Sequence, residues 1–90
     1  MEFSERCIQT LENEGFSSVS EQSCGADTLP QSFPAAAAAL AMIVTDGSLT
    51  VAHGSTSRIL KVGDRLDIPA HIPYSITSGA SGYQLIFGEK

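Results

Sequence analysis

The sequence predicts a small all-β fold, a sandwich or closed barrel, preceded by one short helix. Three observations carry that expectation. Beyond residue 40 the chain breaks into short apolar–polar alternations, the signature of half-buried strands. Turn-forming residues separate these segments at short intervals. The first fifteen residues instead follow a helical period. Ninety residues suit one domain and not two, so residues 1–90 are expected to form a single unit. In it, residues 1–15 supply a helix and arm, and residues 16–90 the β-barrel.

Each element has its own local reason. Residues 2–14 read as a helix because Phe3, Cys7 and Leu11 recur at i, i+4 and i+8, with Ile8 beside them. Gly15 supplies its stop. Residues 16–24 are Ser-rich, with Phe16 and Val19 as the large apolar residues, and suit an edge strand. Gly25, Asp27, Pro30 and Pro34 mark residues 25–34 as a loop. Residues 35–44 pull two ways. Five alanines after Ser32 and Pro34 favour a helix over 34–44. Asp46-Gly47, a strong hairpin dipeptide between alternating segments, favours a strand over 39–45 that pairs with 48–52 through that turn. The strand is preferred.

Further along, His53-Gly54-Ser55 makes a turn, and Ile59, Leu60 and Val62 form a strand that breaks at Gly63-Asp64. Leu66 and Ile68 alternate with Arg65 and Asp67 until Pro69 ends the run. Tyr74 and Ile76 continue, Gly79 to Gly82 turns again, and residues 83–87 close the fold. Six short segments with turns between them point to a sandwich or barrel.

Charge and cysteine content exclude several functions. The net charge is −5. Residues 1–27 hold six acids against Arg6 alone, and residues 28–90 are balanced at four acids and four bases. Nucleic acid is therefore not an expected partner, because phosphate binding needs a concentrated basic surface. The N-terminus has alternating charge where a signal peptide would be apolar, and the longest apolar run, 35–44, is about half a bilayer span. A cytoplasmic protein without a membrane partner is expected. Cys7 and Cys24 then stay as thiols, and their spacing makes no zinc site.

The segment Gly63-Asp64-Arg65-Leu66-Asp67-Ile68-Pro69-Ala70-His71-Ile72-Pro73-Tyr74 resembles the second signature of the cupins, G-x5-P-x-G-x2-H-x3-N. Gly63 and Pro69 match at the right spacing. His71 stands where the signature has glycine, Tyr74 where it has a metal-binding histidine, and Ser78 where it has asparagine. The first signature, G-x5-H-x-H-x3-4-E-x6-G, is anchored by Gly47. Counting back puts its acidic ligand at Leu40 and its histidines at Phe33 and Ala35, or at Pro34 and Ala36. The resemblance covers roughly residues 30–88. It implies a small cupin-like jelly-roll barrel whose metal ligands are lost.

Phenylalanine, proline, alanine and leucine offer a metal no donor, and a phenol with a reference pKa of about 10 does not replace four donors. No metal or other cofactor is expected. Phe33, Ala35, Ala36, Leu40, Met42, Tyr74 and Gln84 are the candidates to line the barrel interior, and His71 is the candidate for its rim. His53, in a predicted turn, is expected to be exposed. Asp64 and Asp67 face opposite sides of a strand and make a poor acid–base pair. The expected function is non-catalytic binding of a small apolar molecule or a partner, by a homodimer. The alternatives are an enzyme built on Tyr74, His71 and Gln84, and a purely structural dimerisation unit.

Overall fold

A computed structural model describes residues 2–26 and 30–90. The chain forms one helix and six strands: α1 (Phe3–Asn13), β1 (Ser18–Cys24), β2 (Gln31–Phe33), β3 (Leu40–His53), β4 (Thr56–Lys61), β5 (Arg65–Ile68) and β6 (Tyr74–Glu89). The helix ends as Gly15 requires. Gly15 takes φ +97°, its N–H donates to the Glu12 carbonyl, and the Phe16 N–H donates to the Leu11 carbonyl. That pattern is a Schellman cap, with Leu11 and Phe16 in one apolar cluster across it. Cys7 and Leu11 of the stripe are buried, while Phe3, at its first turn, is 45% exposed.

Two strands are far longer than their local signals suggest. β3 runs 14 residues and β6 runs 16, antiparallel to each other along both lengths. All six strands join in one hydrogen-bonded sheet, and each long strand serves two halves of it, called the first and second sheets below. The first sheet contains β1, the C-terminal half of β6, the N-terminal half of β3, and β5. The second contains β2, the N-terminal half of β6, the C-terminal half of β3, and β4. A domain of this size cannot roll one flat sheet into a core, so the shared strands bend between the two layers.

The bends correct two expectations. Asp46-Gly47 is not a hairpin turn; it lies inside β3, where Thr45 is an extra residue between the pairs Val44–Leu85 and Asp46–Gln84. Residues 40–45 therefore pair with β5 and β6 and not with 48–52. Gly79 to Gly82 likewise does not turn the chain back; these four residues oppose Ser48 alone as a wide bulge within β6. Gly47 and Gly82 adopt φ +68° and +76° at this corner, which is where their freedom is used. The inward phase changes with the bulges. Leu40, Met42 and Val44 face the main cluster before the corner, and Leu49 and Val51 face it after.

The main core lies between the sheets and includes Leu40, Met42, Val44, Leu49, Val51, Leu60, Leu66, Ile68, Ile76, Tyr83 and Leu85. A second cluster lies outside the first sheet, where Cys7, Leu11 and Phe16 cover Ala41, Ile43 and Ile86. Arg65 ties the helix end to the sheet with two 2.6 Å hydrogen bonds to the Glu14 carboxylate and a third, 2.7 Å, to Asp67.

The strand expected after Ala39 begins at Leu40, so the helix propensity of the alanine run yields to pairing with β5 and β6. The loop expected over 25–34 is corrected at Gln31–Phe33, which forms β2 on β6. Asp27, in the same expected loop, lies outside the described residues. Cys7 and Cys24 form no disulfide. No helix among the described residues is long and apolar enough to cross a membrane.

Candidate functional site

At one end of the second sheet a row of three residues crosses three strands. Phe33 of β2 is the register partner of Tyr74 of β6, and Tyr74 is the partner of His53 at the end of β3. The Phe33 and Tyr74 rings stack with centroids 4.9 Å apart and planes 13° from parallel, near the favoured offset arrangement. Both rings pack on the main core.

These three residues line an open cleft of about 320 Å³ together with Ser32, Ala52, Gly54, Pro73 and Ser75. That volume is at the lower end of the range for small-molecule sites. Burial pushes the Tyr74 phenol above its ordinary range, with the nearby Glu89 carboxylate adding to the shift. Tyr74 is therefore neutral at physiological pH and presents an O–H rather than a charge. His53 Nε2 is a buried polar atom without a protein hydrogen-bond partner among the described residues. Such an atom is costly to leave unpaired.

The interior candidates divide into three groups. Phe33 and Tyr74 meet at the cleft. Leu40 and Met42 are fully enclosed in the core and Ala36 packs against it, so these three belong to the filled interior and not to the cleft lining. Ala35 is exposed and Gln84 does not point inward. Gln84 Nε2 donates to Glu21 Oε1 at 3.0 Å on the exposed surface. The reason is phase: the core takes Tyr83 and Leu85, which leaves the intervening residue on the other face.

His71 is exposed, outside the cleft lining, and holds φ +69° at the position where the cupin signature has glycine. Its N–H donates to the Ala36 carbonyl at 2.8 Å, which pins the bend between β5 and β6. His53 is the residue that the turn-based expectation misplaced. It is the last residue of β3, not part of the turn, and Gly54-Ser55 alone close the hairpin. Counting by twos from inward-facing Val51 would have found it.

The fold family implies a metal, and the residues present do not fit one. Phe33, Ala35 and Leu40 carry no donor atom, and Tyr74 carries a single neutral oxygen. Among the described residues no three His, Cys, Asp or Glu side chains gather at one point.

No family model and no curated protein matches the chain. Solved structures do. Hydroxypropylphosphonic acid epoxidase from S. wedmorenis superposes with a TM-score of 0.67 at 15% identity, over 80% of this chain and 41% of that one. CENP-C from Drosophila melanogaster, in a structure bound to CAL1, superposes with a TM-score of 0.70 at 18% identity, over 80% and 63%. A Vibrio parahaemolyticus protein of unknown function superposes with a TM-score of 0.66 at 15% identity, over 78% and 72%. The chain thus spans about 41% of the epoxidase and 63% of the CENP-C chain. With a further CENP-C structure that is a cupin domain by name, these likenesses identify the fold as a small cupin-like all-β domain.

Proposed function

We propose that this cupin-like domain, with residues 1–90 acting as one unit, is a non-catalytic binding module. Its site is the cleft at Phe33, Tyr74 and His53, and it takes a small, weakly polar molecule. The supporting observation is the ring stack. Two aromatic side chains line an open cleft on strands where the cupin signatures have metal ligands. A stacked pair offers apolar area with little rotamer entropy to lose, and the neutral Tyr74 hydroxyl offers a polar group to orient a ligand. The fold also occurs in an enzyme, the epoxidase, and in a domain seen bound to a protein, CENP-C. Here His71 lies away from Tyr74's cleft, which removes the second group of the acid–base alternative.

The test uses indole as probe in saturation-transfer NMR. Binding to the wild-type protein that is lost in Tyr74→Ala supports the reading. Equal binding by Tyr74→Ala overturns it.

A second proposal is a homodimer closed through the outer face of the second sheet. Alternation places the small residues Thr50, Ala52, Ser57, Ser75 and Thr77 on that face, with Ile59 and Lys61 at its β4 margin, and α1 covers only the first sheet. Small domains gain most from such closure. Sedimentation at twice 9.5 kDa is the expected result, and a monomer at micromolar concentration refutes it. The proposed location is the cytoplasm.

A further inference from the structure

We infer that the free edge of β4 is a docking site for an extended, acidic–apolar segment of a partner protein, added as a further strand to the second sheet. β4 ends the strand order and pairs with β3 on one side only. The two-residue turn Gly54-Ser55 fixes which of its backbone groups are open. His53 and Thr56 close the turn as a hydrogen-bonded pair, so by alternation Ser57, Ile59 and Lys61 turn their N–H and C=O groups away from β3. The far end of the strand bears this out. The Lys61 N–H donates to Asp64 Oδ2, and its carbonyl accepts from the Asp64 N–H, both at 2.9 Å. Lys61 is thus already satisfied by the following turn. Ser57 and Ile59 are left with two donors and two acceptors facing outward, a ready template for strand addition.

The side chains around this edge specify the occupant. Ile59 is 67% exposed and Val62 is 55% exposed, two of the three large apolar residues that the described surface presents openly. Arg58 and Lys61 flank Ile59. The other cations have other places: Arg65 is held by Glu14 and Asp67, Lys90 lies over the Phe16 ring at 5.1 Å, and Arg6 sits on α1. Arg58 and Lys61 have no ion-pair partner among the described residues, and by alternation each face of the β4 edge carries one of these unpaired cations, on a chain of net charge −5. Carboxylates on an incoming strand complement these cations, and its apolar residues meet Ile59 on the face opposite Arg58. A second copy does not, because two β4 edges set antiparallel through Ser57 and Ile59 bring the Arg58 side chains of both chains side by side on one face.

The experiment measures fluorescence anisotropy with two labelled peptides of roughly six residues, an ordinary strand length. One alternates glutamate with valine, and the other alternates lysine with valine. The glutamate peptide is expected to bind the wild-type domain and the lysine peptide not to. Combining Arg58→Glu with Lys61→Glu should weaken binding on the order of tenfold or more, because it reverses the complementary charge. Ile59→Pro should do the same by removing an outward N–H while sparing the β3 ladder. Arg6→Glu, away from the edge, should leave affinity unchanged, and circular dichroism confirms that each variant is folded. Four results overturn the inference: no binding of the glutamate peptide at about 1 mM, equal binding of both peptides, full binding by the charge-reversed variant, or self-association that the charge reversal abolishes. Because the edge is separate from the cleft, the indole experiment and this one fail independently.

Discussion

Replacing Gly47 by alanine tests whether β3 and β6 are locked at their shared corner. A Cβ on Gly47 would lie 2.1 Å from the Gly82 carbonyl oxygen, 2.9 Å from its carbon and 3.0 Å from Tyr83 Cα. All three are backbone atoms, so no side chain can swing aside. Gly47 also holds φ +68°, a region that costs an L-residue roughly 1–2 kcal/mol. Relieving the overlap means separating the strands and loosening about two ladder hydrogen bonds, each worth about 1 kcal/mol. Less about 0.4–1 kcal/mol returned by a stiffer unfolded chain, the expected loss is about 2–4 kcal/mol, from a domain whose size suggests about 5–13 kcal/mol in all. Gly54 supplies the control. Its φ is +56°, but a Cβ there meets nothing within 4 Å. Gly54→Ala therefore carries the backbone cost alone, offset in part by about 0.4–1 kcal/mol from a stiffer unfolded chain, and should lose about 1 kcal/mol. Urea unfolding followed by far-ultraviolet circular dichroism measures both. If the two variants lie within about 1 kcal/mol of each other, the corner is not sterically closed and the account of the bulge fails.

Three further outcomes follow from the same structure. His71→Gly should leave stability unchanged or raise it by up to about 1 kcal/mol, since it relieves a positive φ at an exposed residue; His71→Val should lower it, and thermal melts rank the two. Leu11→Ala should cost about 2–5 kcal/mol by chemical unfolding, because Leu11 is fully buried between the helix and the first sheet. The Arg65 guanidinium holds the Glu14 carboxyl below its ordinary range. A depressed pKa contributes stability above the unfolded value, lost as pH falls through the folded value. Melting temperature should therefore drop in that acid window for the wild type and less steeply for Glu14→Gln. A parallel, unshifted acid limb would refute the tether.

Local chemistry was enough for several features. The stripe of Cys7 and Leu11 with Gly15 after it specified a helix, its buried face and its cap. His53-Gly54-Ser55 marked a chain reversal, though one residue too wide, and Pro69 marked the end of β5. The spacing from Gly63 to Pro69 pointed to the cupin-like fold. Each of these depends on atoms within a few residues, so the sequence carries it directly. In the site, Phe33 and Tyr74 were legible through the signature positions they occupy, without any hint that they stack. His53 was missed because it was assigned to the turn one residue away.

The corner was decided elsewhere. Asp46-Gly47 offers a positive φ, and both a hairpin turn and a bulge make use of one. Which forms depends on the partner. Here β6 runs alongside both halves of β3, so the chain continues through Gly47 instead of reversing. The glycines of 79–82 follow the same logic, bending β6 where the close approach of Gly47 and Gly82 leaves no room for a side chain. The alanine run resolves in the same way. Its helical preference, at a few tenths of a kcal/mol per residue, is smaller than the ladder bonds and apolar burial available to Leu40, Met42 and Val44 between β5 and β6. The inward face also passes to the opposite parity across each bulge, so Gln84 points to Glu21 while Tyr83 and Leu85 enter the core. The sequence sets the local conformations that each residue can adopt, and long-range strand pairing, which rewards burial only once distant segments have met, selects among them.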